Sequence, residues 1–141
     1  MTVRTYQKKS MIIWNLKMMS EMGSIEVINI RNNIPTDGKY FYIGRNNQGN
    51  VLGNPYTHKT GTLAQYKVSS REEAISKYES YFKESYNNND EFKRTIDEIY
   101  NCYLEGNKVY LGCWCKPSSC HGDIIKKFIE IKYIKTNYSY E

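Results

Sequence analysis

The apolar residues change from helical to strand period and back in the second half of this 141-residue chain, a pattern that neither an all-helical nor an all-strand fold accommodates. After Ser70-Arg71-Glu72-Glu73, a capping-box sequence, Ala74, Ile75, Tyr78, Tyr81 and Phe82 recur at helical spacing and fade into Asn87-Asn88-Asn89. Asp90 then caps a second helix with Phe92, Ile96, Ile99 and Tyr103 on one face, and Gly106-Asn107 closes it in left-handed conformation. Lys108 to Trp114 reads as a strand. A third, largely buried helix follows from Asp123 to about Lys135, marked by Ile124, Ile125, Phe128, Ile129 and Ile131.

Two strands precede these elements. Ile25-Glu26-Val27-Ile28-Asn29-Ile30 is β-branched and partly alternating, and Thr36-Asp37-Gly38 supplies a turn before Lys39-Tyr40-Phe41-Tyr42-Ile43. Between Asn46 and about Ser69 runs a long loop with Gly49, Gly53 and Gly61, of a length that in a compact domain points to function, and residues 50–68 leave room for one more strand. The order β-β-α-α-β-α predicts a small layered α/β domain, Rossmann-like, with a partly parallel sheet. It is expected over residues 24–135, with an appended N-terminal arm at 1–23, where Met22 is an alternative start, and a polar tail at 136–141.

No run of eighteen apolar residues exists, so neither a membrane span nor a signal peptide is expected, and the chain is placed in the cytoplasm. In that compartment Cys102, Cys113, Cys115 and Cys120 are reduced, which turns attention to packing, metal binding or catalysis. Twenty Lys and Arg against fifteen Asp and Glu favour anionic partners.

Chemistry concentrates in Leu111-Gly112-Cys113-Trp114-Cys115-Lys116-Pro117-Ser118-Ser119-Cys120-His121-Gly122-Asp123, where a strand runs through a polar turn into a helix. Ligands of α/β folds gather at such edges, and the N–H groups of Cys120 to Asp123 are expected to face an anion. Three readings of the cysteines stay open. Cys113, Cys115, Cys120 and His121 have the atom types of a zinc site, but the spacing is uncommon, and Cys113 and Cys115 share a face only if the strand continues through both, so no metal or other cofactor is favoured. Cys120 or Cys115 could instead serve as a nucleophile, with His121 or the distant His58 accepting the proton. In the third reading the cysteines are small buried hydrophobes beside a polar helix cap.

Gly44-Arg45, Leu52-Gly53-Asn54-Pro55-Tyr56 and Cys113-Trp114-Cys115-x-Pro117-x-x-Cys120-His121-Gly122-Asp123, taken in that order, resemble a bacterial and phage domain family of unknown function over about residues 25–131. Tyr56 stands where Phe is more familiar in that family. The resemblance implies that the three motifs converge on one site.

Arg45 supplies a forked cation, Asn54 amide hydrogen bonds, and Tyr56 and Trp114 rings for a nucleobase, with His121, Gly122 and Asp123 at the same mouth. The first expectation is therefore a binder of a nucleotide-derived small molecule, as a phage product that sequesters a nucleotide signal of host defence would be. The second is a nucleotide hydrolase or N-glycosidase in which Asp123 or Cys120 attacks or activates water and His121 moves a proton. A third is single-stranded nucleic-acid binding through Lys8, Lys9, Lys17 and exposed tyrosines. Completion of the pocket in a homo-oligomer stays open.

Overall fold

The computed structural model describes residues 22–137; the predicted arm up to residue 21, with its three lysines, and the last four residues of the tail lie outside them. Three parallel strands form the main sheet. They are β1 (Ser24–Asn29), β2 (Lys39–Tyr42) and β5 (Lys108–Cys113), in the order β1-β5-β2. Ile25 pairs with Val109 and Val27 with Leu111 on one side of β5, and Phe41 pairs with Leu111 on the other. Val109 and Leu111 are consequently buried, as the centre of a parallel sheet requires.

The mixed α/β class follows the sequence pattern, with two short strands added inside the long loop. These are β3 (Tyr56–Thr57) and β4 (Tyr66–Lys67), a parallel pair extended by bonds from Tyr66 N to Pro55 O at 2.8 Å and from Val68 N to Thr57 O at 2.7 Å. The loop has its own internal support. Asn50 Nδ2 donates to the carbonyls of Tyr42 (2.7 Å) and Gly44 (2.9 Å), and the buried Leu52 offers its carbonyl to Tyr78 Oη at 2.9 Å.

Helix α1 (Arg71–Asn88) starts as the capping sequence predicts, with Ser70 Oγ accepting from Glu73 N. The Glu73 carboxylate turns one residue further back, to the backbone N–H and hydroxyl of Ser69. Helix α2 (Asp90–Leu104) is capped by Asn89 and not by Asp90: Asn89 Oδ1 accepts from Phe92 N at 3.1 Å, so Asp90 becomes the first helical residue. Its C-terminus is the expected left-handed closure, with Gly106 at φ 87°, Gly106 N donating to Tyr103 O and Asn107 N to Cys102 O.

Helix α3 (Gly122–Asn137) buries Ile125, Ile129 and Tyr133, whereas Ile131 and Ile134 are exposed, so it is half-buried where the sequence pattern suggested more. Helix α2 packs on β5, α3 on β1, and α1 against both other helices. Phe82 joins them, with ring centroids 5.1 Å from Phe92 and 4.8 Å from Phe128. Met22, at the end of the predicted arm, packs against this core and receives the Tyr103 hydroxyl at its sulfur, 3.4 Å away. Among the described residues no helix is long and apolar enough to cross a membrane.

Candidate functional site

Because β1, β5 and β2 are parallel, their carboxyl ends lie at one edge, and the segments that follow them meet there. They enclose a cleft of about 530 Å³. Arg31 enters from the segment after β1, Arg45 and Lys59 from the long loop, Arg71 from the first turn of α1, and Trp114 and Lys116 from the turn after β5. Among the described residues no carboxylate lines it. Five cationic side chains around one concavity give the cleft a concentrated positive charge.

Several of these groups also build the walls. Arg45 Nη1 donates to Asn54 O at 2.8 Å and lies 3.5 Å from Tyr56 O, Arg71 Nη1 donates to Ser119 O at 3.3 Å, and Lys116 Nζ pairs with Asp123 Oδ1 at 2.7 Å. Asn54 is buried: its Oδ1 accepts from Tyr56 N at 3.0 Å and its Nδ2 donates to Ala74 O at 3.2 Å, so its amide ties the loop to α1. Tyr56 stacks on Tyr66 with centroids 5.3 Å apart. Trp114 leaves the strand pattern and is half exposed; its Nε1 donates to Tyr42 Oη at 3.1 Å, and the Arg31 guanidinium lies 5.9 Å from its ring.

The backbone at the start of α3 differs from the expected anion cradle. Cys120 N donates to Asp123 Oδ2 at 3.1 Å, Gly122 N to Cys120 Sγ at 3.4 Å, and Asp123 N to Cys120 O at 3.0 Å, so these three N–H groups are used within the turn. The positive charge of the cleft therefore comes from its side chains. Asp123 serves as a cap and as the partner of Lys116, and neither it nor Gly122 lines the cleft. Gly122 is needed for close packing: a Cβ there would stand 2.6 Å from Ile43 Cδ1 and 2.8 Å from Val27 Cγ1.

Beneath the cations, Cys113, Cys115 and Cys120 bring their sulfurs within 4.8 Å of one another. The strand does not have to continue through Cys115 for this. It ends at Cys113, and a turn that starts at Cys115 and is closed by Ser118 N to Cys115 O at 2.8 Å leads the chain back to Cys120. All four cysteines are free thiols, with Cys102 intermediate in exposure on α2. Hydrogen bonds from Cys113 and Cys120 stabilise a thiolate at Cys115 and hold it well below the ordinary thiol range, helped by Arg71. The same bonds and burial push the Cys120 thiol up. Cys115 and Cys120 both line the cleft, and the trio offers soft donors to a thiophilic metal.

His121 is buried, with Nε2 2.6 Å from Ile43 O and Nδ1 3.5 Å from Cys120 Sγ. Burial pushes its pKa down, so the ring is biased to the neutral form. His58 lines the cleft from the loop after β3. Sequence reasoning missed Arg31, Lys59, Arg71 and Lys116 as site residues. Their only shared signal is charge, and the chain has twenty such residues.

The chain belongs to the family described as Domain of unknown function (DUF4326), whose model matches residues 28–131. No curated protein and no solved structure matches it.

Proposed function

We propose that the protein binds a nucleotide-derived anion in the cleft at the carboxyl edge of its sheet. The observation that carries this reading is the union of Arg31, Arg45, Lys59, Arg71 and Lys116 around a concavity that no described carboxylate lines, beside the half-exposed ring of Trp114. Guanidinium and ammonium groups recognise phosphate, and an indole edge-anchored on Tyr42 offers a surface to a base. Lys116 is partly neutralised by Asp123, and Arg45 and Arg71 each commit a nitrogen to the walls, so Arg31 and Lys59 are assigned the larger share of ligand contact.

The test is a titration of Trp114 fluorescence in a Trp14→Phe background with ADP, adenosine and inorganic phosphate. ADP is expected to change the emission saturably, adenosine more weakly, and added salt to weaken ADP binding. No response to ADP at millimolar concentration, or an equal response to adenosine, contradicts the reading. Appearance of AMP, adenine or free phosphate during the titration would instead favour a hydrolase or N-glycosidase at the same cleft, with Cys120 or Cys115, which both line it, as the nucleophile candidates beside His121.

A further inference from the structure

We propose that Cys113, Cys115 and Cys120 together bind one zinc-class divalent cation as thiolates, with the remaining coordination position turned toward the cleft. This goes beyond the ligand reading and does not depend on what occupies the cleft.

Geometry is the first support. Around tetrahedral zinc, Zn–S bonds of about 2.3 Å set the sulfurs roughly 3.8 Å apart. The three sulfurs already lie within 4.8 Å of one another, so shifts of about 1 Å or less close them on an ion. The anchoring is the second support. Cys113 ends the central strand opposite Asn29, Cys120 stands at the start of α3, and the Cys115 turn is tied to Asn29, whose Nδ2 donates to Lys116 O at 2.7 Å. Metal sites gain affinity when their ligands are held in advance by groups outside the coordination shell. Gly122 N, which donates to Cys120 Sγ at 3.4 Å, is such a group for a thiolate.

Exposure decides where the open position points. Cys113 and Cys120 are each 1% exposed, Cys115 is partly exposed, and all three border the cleft. His121 Nδ1 is near Cys120 Sγ but falls outside the set of mutually close donors, so three chain ligands remain. Three protein ligands with a fourth position open is the pattern of a reactive zinc centre, whereas closed structural sites use four. Binding holds all three sulfurs as thiolates and releases to solvent whatever thiol protons remain. The resulting metal–trithiolate unit carries one negative charge, which Arg71 and Lys116 at the same cleft offset.

The experiment strips metal from the reduced full chain with a chelator and titrates it with Co²⁺ alone, then with Zn²⁺ in competition. One Co²⁺ per chain is expected, with near-ultraviolet thiolate-to-cobalt absorption and the visible bands of a four-coordinate site, all displaced by Zn²⁺. Cys115→Ala, at the most exposed of the three, should weaken binding by more than the roughly 10–100-fold that loss of an outer partner costs. Cys102→Ser should leave it unchanged. Reduced wild type that binds no Co²⁺, or a Cys102→Ser variant as impaired as Cys115→Ala, would overturn the proposal. Because the wild-type titration needs no substitution, a variant that misfolds does not rescue a negative result.

Discussion

His121 Nε2 donates its proton to the main-chain carbonyl of Ile43 across 2.6 Å, because a carbonyl can only accept. The bond joins the residue after β2 to the residue before α3, and His121 lines the cleft. It also fixes the tautomer of the neutral ring, leaving the Nδ1 lone pair toward Cys120 Sγ at 3.5 Å. His121→Ala leaves the Ile43 carbonyl without this donor and removes a ring packed edge-on against Tyr78, with centroids 4.9 Å apart. A loss of about 2–4 kcal/mol in urea unfolding is expected. A loss below about 0.5 kcal/mol would show that the bond contributes little.

Gly122→Ala is expected to destabilise the fold by about 1–3 kcal/mol, although alanine is the better helix former. The new methyl would meet Val27 and Ile43, and the β-branched Val27 on β1 has little freedom to yield. Denaturant unfolding checks this, and equal or greater stability in the alanine variant would refute the close-packing account of Gly122.

Asn54→Ala should cost about 1–3 kcal/mol and lower ADP affinity as well, since the amide holds the loop carrying Lys59 onto α1. Asn54→Asp keeps the acceptor for Tyr56 N but sets a buried carboxylate oxygen against Ala74 O, so at neutral pH it should cost at least as much as Asn54→Ala. Calorimetric titration beside thermal unfolding separates affinity from stability.

Arg31→Ala and Lys59→Ala should each reduce ADP affinity roughly tenfold, since a hydrogen bond to a charged group is worth about 1.5 kcal/mol or more. Both side chains lie at the cleft surface, so unfolding free energies should stay within about 0.5 kcal/mol of wild type. Unchanged affinity in both variants would move the anion site elsewhere.

Away from the cleft, Asp97 supplies a pH signature. Burial works against its carboxylate, but hydrogen bonds from Lys93 at 2.8 Å and Tyr86 at 2.7 Å, with Lys132 at 3.5 Å, outweigh it and lower its pKa. A carboxylate whose folded pKa lies below the unfolded value of 3.8 stabilises the fold fully above that value. The contribution disappears as pH falls through the folded value. Asp97→Asn should therefore cost about 1 kcal/mol at pH 7 and converge with wild type under acid, as unfolding at graded pH would record.

Local chemistry made much of this molecule readable in its sequence. The Ser70 cap and the Gly106-Asn107 closure depend on neighbours in the chain, and both stand where spacing put them. Asn89 and Asp90 can both cap a helix, so adjacency alone could not choose between them. Strands β3 and β4 were hidden because two-residue pairings carry no period, and the loop around them is organised by Asn50 and Leu52. At the candidate site, the Cys113-to-Asp123 motif pointed to the sheet edge where the cleft lies, yet the cysteine convergence depends on a turn whose course no alternation predicts. The cleft cations come from four separate segments, and only the topology unites them.

The central claim is tested most directly by incubating the protein with a nucleotide-rich cell extract, repurifying and denaturing it, and identifying released molecules by mass spectrometry. An Arg31→Glu, Lys59→Glu double variant serves as the comparison. The account predicts a phosphate-bearing nucleotide in near-stoichiometric amount from wild type and a much smaller amount from the variant. Wild type that retains no such molecule and alters none in the extract, or a variant that retains as much, would contradict it.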